Sequence, residues 1–338
     1  MTTHKPIRIA LIGSGIFARD AHLPALLRLS DRFQIAGICS QSHQSAAQLA
    51  ELLPYEVKIT TDYNELLRDD SIDAVDILLP IPLLPEAAAA ALDSGKHIIS
   101  EKPIAPTVAM GKSLINQYRA AESRIVWMVA ENWRYEPAFA RAGDFVRSGD
   151  IGAIVTAYWA LHVPVTPELK YYHTSWRRSG DFPGGFLLDA GVHHIAALRL
   201  TVGEIVRVSA SVAAMRDDLP PADTLSAVLE FENGAVGHYT VTYAVGSPFP
   251  THLHVIGMRG GLRVDTDSLE VIASEGPQTV PLPKLDGVTA ELQAFADAIQ
   301  TGTPHRNSPE AALQDVAVIE AMLQSAEKGV HMKPERIV

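Results

Sequence analysis

At 338 residues, 47% hydrophobic and 20% charged, the chain is long enough for two cores and too apolar to remain disordered. Its formal net charge of -11 argues against nucleic-acid and anionic-membrane partners, which require clustered Lys and Arg. The single cysteine, Cys39, excludes an intrachain disulfide and a cysteine-rich zinc site. Residues 1–6 are polar, the next apolar run is only 9–12, and no span approaches the roughly 20 apolar residues of a membrane helix, so a soluble cytoplasmic protein is expected.

Residues 7–12 read as an apolar strand, followed by Gly13-Ser14-Gly15-Ile16-Phe17-Ala18 and a helical pattern over 20–29. Glycines at this spacing between a strand and a helix point to a dinucleotide. Gly13 makes the tight turn, Gly15 lets the backbone approach a pyrophosphate, and Ala18 lets the helix pack closely on the strand. The pyrophosphate would lie on the helix N-terminus, where unpaired amides favour an anion. A second strand, 34–39, ends at Ser40-Gln41-Ser42-His43. NAD sites usually place a carboxylate there for the ribose hydroxyls. Hydroxyl and amide groups that do not repel a 2′-phosphate tilt the choice toward NADP over NAD.

The pattern then continues in βα units. A helix is predicted over 45–53, a strand at 59, a short helix over 63–67, and a strand over 74–79 that ends at Pro80. An alanine-rich helix over 86–92 is ended by Gly95. Ile98 and Ile99 form a short strand, followed by a helix over 108–121 and a strand over 125–130. Strands alternating with helices specify a doubly wound parallel sheet, here a Rossmann dinucleotide domain over 1–130.

Glu101-Lys102-Pro103 closes the Ile98-Ile99 strand. Pro103 restrains Lys102 toward an extended backbone. The ammonium therefore stands at the carboxyl end of a strand, where open α/β sheets bind ligands. There it can hydrogen-bond a hydroxyl or carbonyl oxygen, or pass a proton.

After Asn132 the texture changes. A helix over 137–148 precedes period-2 stretches at 155–163, 206–213, 224–231, 235–245 and 252–257. Asn233-Gly234 between two of them marks a hairpin. The second domain, 131–338, is thus α+β with a large, mostly antiparallel sheet, one face of which can serve a homodimer or homotetramer. Helices over 290–301 and from Ser308-Pro309 to 328 close the chain.

Between the first two of these strands lie Tyr171-Tyr172-His173, Trp176-Arg177-Arg178 and the block from Gly184 to His194. If a helix begins near Asp189, then Asp189 and His193 share a face. A carboxylate there could orient an imidazole that takes a hydroxyl proton. A capping aspartate with a satisfied core histidine is the alternative, and a metal site with His173 is another. Tyr172 and Trp176 could stack on a sugar ring or simply pack the loop.

Together these residues resemble the glucose-fructose oxidoreductase/inositol dehydrogenase (Gfo/Idh/MocA) family over essentially the whole chain. The resemblance rests on Gly13 to Ala18 with His22 and Pro24, on Gly95-Lys96-His97 leading into Glu101-Lys102-Pro103, and on Asn132-Trp133-Arg134-Tyr135. The Gly184 to His194 block and Ser325-Ala326-Glu327-Lys328-Gly329 complete it. It implies an NAD(P)-dependent oxidoreductase acting on a sugar or polyol, with Lys102, Asp189 and His193 as a catalytic set above the nicotinamide. It also implies a cis Lys102-Pro103 bond. Cofactor contacts are expected from Gly13, Gly15, Ile16, Phe17, Ser40, Gln41, Leu79, Pro80, Glu101, Lys102 and Asn132. Substrate contacts are expected from Arg134, Tyr172, Trp176 and His194. No metal is expected. Two positions depart from the family pattern: Leu84, where histidine is common, and Ser40, where NAD-preferring members carry an acid. A nucleotide-and-sugar sensor without turnover is the alternative from another class, and an enzyme using a tightly held nicotinamide transiently is a third reading.

Overall fold

The computed structural model describes residues 5–121, 125–249 and 251–338, so the first four residues of the polar start lie outside it. The chain forms two units: Met1–Glu131 with Val288–Leu313, and Asn132–Gly287 with Gln314–Val338. The sequence predicts one continuous second domain over 131–338; instead, Val288–Leu313 joins the first unit. The cause is the helix Gly287–Thr301, which buries Leu292, Phe295 and Ala296 among Leu11, Leu26 and Phe33. Phe295 stacks on Phe33 with ring centroids 6.4 Å apart.

The first unit holds six parallel strands: β1 (Ile7–Ile12), β2 (Phe33–Cys39), β3 (Lys58–Thr60), β4 (Ala74–Ile77), β5 (His97–Glu101) and β6 (Trp127–Ala130). Their order is β3-β2-β1-β4-β5-β6, the doubly wound arrangement. The chain reverses direction across the sheet between β1 and β4, so the loops after these two strands flank the crevice where such sheets bind ligands. β4 is buried throughout, as a strand covered on both faces must be. Helix starts are capped as their residues predict: Ser42 accepts from the Ser45 amide at 3.1 Å, and Thr107 from that of Met110 at 3.3 Å. The helix predicted over 20–29 instead starts with a π turn, Ala18–His22, before Leu23–Arg28.

The second unit holds eight strands, ordered β14-β13-β12-β11-β7-β10-β9-β8. They are β7 (Ile154–His162), β8 (Ile205–Ala213), β9 (Thr224–Phe231), β10 (Val236–Thr242), β11 (Leu253–Gly257), β12 (Gly261–Val264), β13 (Leu269–Ala273) and β14 (Gly276–Thr279). All pairs are antiparallel except β7 with β10. Gly234, at φ +87°, makes the β9–β10 turn that Asn-Gly predicts. The last three strands are not in the sequence prediction. They are short, and β14 reads Gly-Pro-Gln-Thr, a loop-like run tolerated because it lies at the sheet edge. Alternating burial along β9 and β10 leaves one face of the sheet exposed. Among the described residues no helix is long and apolar enough to cross a membrane.

Candidate active site

The glycine loop follows β1. Gly13 has φ +118°, its amide donates to the Cys39 carbonyl at 2.8 Å, and a Cβ on it would collide with the Leu78 carbonyl oxygen. It ties the turn to the ends of β2 and β4, and only glycine fits. Gly15 is exposed, and a Cβ there would meet nothing within 4 Å. That open backbone is the cradle a pyrophosphate needs, so these residues fit a dinucleotide. Ile16 and Phe17 are half-buried beside it. At the end of β2, the Ser40 hydroxyl shares a 2.6 Å hydrogen bond with Ser14, joining the glycine loop to the end of the second strand, while Gln41 is exposed. Leu79 and Pro80 follow β4, half-buried, and Pro80 starts the 3₁₀ turn Ile81–Leu83. Leu84 opens the next helix, buried. Burial, then the nearby Asp62 and Glu65, pushes the Cys39 thiol up to about 11, so it stays protonated and unreactive.

β5 carries the Glu-Lys-Pro block. Glu101 is its last residue, in register with Ala130 of β6, and the Lys102-Pro103 peptide is cis. Lys102 is half-exposed, while Pro103, Ile104 and Ala105 are buried. Beneath the block lies a residue that the sequence connects only with the family resemblance. His22, fully buried at the end of the π turn, places Nδ1 2.7 Å from Asp76 Oδ2 and Nε2 3.3 Å from Glu101 Oε1. Burial alone would favour the neutral ring; the two carboxylates outweigh it and hold the imidazole well above its ordinary value.

In the second unit, the predicted helix near Asp189 is two helices, Phe186–Asp189 and Gly191–Thr201. Asp189 is buried and accepts a 2.7 Å hydrogen bond from Arg177 Nε, a partner not anticipated from the sequence. The Arg177 guanidinium also lies 4.1 Å over the Trp176 ring and 5.1 Å over that of Tyr171. The half-buried His193 ring stacks on Trp133, 5.4 Å between centroids and 16° from parallel. Asn132, just before Trp133, donates to Glu136 at 3.3 Å; burial pushes that carboxyl up, opposed by the Gly287 amide and Asn132.

Two expected substrate residues are buried with partners inside the protein. His194 is buried, with Nδ1 2.7 Å from the Tyr239 hydroxyl and its ring edge-on to Trp133 and Trp159. Arg134 is buried and ion-paired with Asp315, whose other oxygen accepts from Arg199 at 2.5 Å. Tyr172 donates to Asp218 at 2.8 Å, and Arg178 covers its ring at 4.4 Å. Arg216 and then Tyr172 hold the Asp218 carboxyl down at about 2. His173 faces the Pro167 carbonyl at 2.7 Å. Among the described residues no three His, Cys, Asp or Glu side chains could hold a metal ion.

Comparison with known proteins agrees with this layout. The model of the oxidoreductase family NAD-binding Rossmann fold matches residues 7–129, and that of the oxidoreductase family C-terminal alpha/beta domain matches residues 144–333. The chain is 33% identical to dehydrogenase FPY6 of Fusarium mangiferae, covering 95% of this chain and 96% of that protein. It is 29% identical to an NADP(+) D-xylose 1-dehydrogenase of Haloferax volcanii, covering 94% and 97%. A solved structure of levoglucosan dehydrogenase in complex with NADH and levoglucosan superposes with a TM-score of 0.88 at 26% identity, covering 98% of this chain and all of that one.

Proposed function

Because this chain belongs to the Gfo/Idh/MocA family of oxidoreductases, we propose that it is a cytoplasmic NAD(P)-dependent dehydrogenase of a neutral sugar or polyol, with NADP preferred. The observation that carries this reading is the Glu101-Lys102-Pro103 block at the carboxyl end of β5, in the same sheet as the open backbone at Gly15. Gly13, Gly15, Ile16, Phe17, Ser40, Gln41, Leu79 and Pro80 hold the dinucleotide, with Glu101 and Asn132 as further contacts. A nicotinamide held by these residues would supply the hydride acceptor for oxidation of a carbinol carbon. Lys102 hydrogen-bonds the reacting oxygen and stabilises the charge that develops on it. His193 takes the hydroxyl proton. Its stacking on Trp133 fixes the plane of the ring, and Asp189, clamped by Arg177, supports the charge it gains. Tyr172 and Trp176 supply aromatic surface for the sugar.

NADP is favoured by the absence of a carboxylate at Ser40 and by the xylose dehydrogenase relative; the levoglucosan enzyme, solved with NADH, keeps the two cofactors a matter for direct comparison. The exposed sheet face supports self-association. Val228, His238, Tyr158 and His254 stand in register across β9, β10, β7 and β11, and Tyr158 stacks on His254 at 4.5 Å. Light scattering on the purified protein checks for the dimer or tetramer.

The deciding experiment is reduction of NADP⁺ and NAD⁺ by the purified protein across neutral aldoses, inositols and diols, alongside Lys102→Ala. The expected result is turnover with at least one substrate, lost in Lys102→Ala while cofactor binding persists. Normal turnover by that variant would refute the assignment of Lys102. Silence across the panel despite cofactor binding would favour a sensor.

A further inference from the structure

We propose that His22 is a positioning residue for this reaction: as an imidazolium fixed between Asp76 and Glu101, it neutralises the carboxylate that directly precedes Lys102. The inference rests on the reading of Lys102 given above and deepens it.

The geometry favours an extra proton on the ring. A neutral imidazole has one N–H and one lone pair, so it can donate to only one of two flanking carboxylates. His22 faces a carboxylate at each nitrogen, Asp76 from β4 and Glu101 from β5, and none of the ring is exposed. The imidazolium donates to Asp76 and carries its charge against Glu101. At 2.7 Å the Asp76 contact is in the charge-assisted hydrogen-bond range, and the Glu101 contact, at 3.3 Å, is an ion pair.

The surroundings make that charge consequential. Glu131, just past β6, and Glu291, on the helix Gly287–Thr301, face the same buried space. Burial first, then Glu101, Glu131 and Asp76, push Glu291 well above its ordinary value against the pull of His22, so Glu291 stays neutral. Asn307 supports this end of the cluster, donating to Glu291 Oε2 at 3.2 Å and to the Glu131 carbonyl at 3.0 Å. His22 is therefore the cation among four carboxyl groups. Asp76 is fully buried, whereas 12% of the Glu101 side chain reaches the surface. Glu101 is where this cluster meets the end of β5, one residue from Lys102. Without the imidazolium, its carboxylate would compete with the reacting oxygen for the lysine N–H donors.

The test has two parts that fail independently. In ¹⁵N-histidine spectra of the wild-type protein, His22 is expected to show both ring nitrogens protonated over a range that runs through pH 6.5 to a limit well above it. Glu101→Gln should shorten that range. In kinetics, His22→Gln and His22→Asn should bind NADPH nearly as well as wild type and keep the sugar KM, while kcat falls about tenfold or more. Removing a positive charge should also move the kcat pH profile to higher pH. A neutral His22 ring at about pH 6.5, well below that limit, would overturn the proposal. So would variants that fold, by circular dichroism, with unchanged kcat and pH profile. If the spectra show the imidazolium but the kinetics do not move, this role for His22 falls while that of Lys102 stands. If Lys102→Ala turns over normally, the Lys102 reading falls and takes this role with it, whatever the spectra show.

Discussion

Arg177 donates Nε–H to Asp189 Oδ2 at 2.7 Å, so the carboxylate four positions before His193 is clamped by a guanidinium from the preceding loop. Both side chains are largely buried, and removing one partner leaves an uncompensated charge. Breaking such a pair costs about 3–5 kcal/mol. Arg177→Met should therefore lower the melting temperature and depress kcat together. The double variant Arg177→Met/Asp189→Asn should recover most of the stability and none of the activity. Calorimetry beside steady-state kinetics separates these effects, and additive stability losses would show that the two residues do not act as a pair.

The two glycines of the nucleotide loop should behave oppositely. Gly13→Ala forces a Cβ against the Leu78 carbonyl at a positive φ, so it should unfold at lower temperature even without cofactor. Gly15→Ala meets no protein atom, so its melting temperature alone should match the wild type. Its NADPH affinity should fall about tenfold or more, because the methyl group occupies space the pyrophosphate needs. Fluorescence titration of NADPH measures this, and full affinity in Gly15→Ala would move the phosphates elsewhere.

Ser40 bonds to Ser14 at the mouth of the loop, where an acid would select NAD. Ser40→Asp should cut kcat/KM with NADP⁺ about tenfold or more relative to NAD⁺ by repelling the 2′-phosphate. An unchanged ratio would show that discrimination lies at other residues.

Glu291 predicts how stability depends on pH. Its folded value lies well above the ordinary 4.5, so folding takes up a proton, and stability falls as pH rises from 4.5 toward that raised value. His22 acts in the same direction: its contribution is complete below its ordinary 6.5 and is lost as pH rises through its raised folded value. Glu291→Gln keeps the acceptor for Asn307 without the proton uptake. Its stability advantage should grow by about 1.4 kcal/mol per pH unit above 4.5. Urea unfolding at about pH 5 and about pH 7 tests this, and equal advantages at both would mean that Glu291 is ionised in the fold.

What the sequence makes legible is local. Lys102 could be placed at a strand end because Ile98, Ile99 and Pro103 are its near neighbours, and Gly13 and Gly15 because their strand and helix adjoin them. Contacts closed by tertiary folding were not legible: His22 with Asp76 spans 54 residues, and Arg134 with Asp315 spans 181. Nothing near Arg134 in the chain announces the buried carboxylate that pairs with it. The Asp189–His193 spacing assumed one helix, whereas the structure divides it at Ala190; His194, beside His193, turns into the core against Tyr239. β12 to β14 lacked a signal for another reason: at four or five residues each they are too short for a period-2 pattern to stand out, and β14, at the sheet edge, is largely exposed.

The return of Val288–Leu313 to the first unit sets a timetable for biosynthesis. The six strands of that unit have all left the ribosome before most of the second unit is made, yet Leu292, Phe295 and Ala296 are still to come. At about 5–20 residues per second, the nascent sheet waits roughly ten to thirty seconds with the apolar surface around Phe33 uncovered. The unit that begins folding first is completed only after most of the second unit has been made, and in that interval the chain depends most on protection from aggregation.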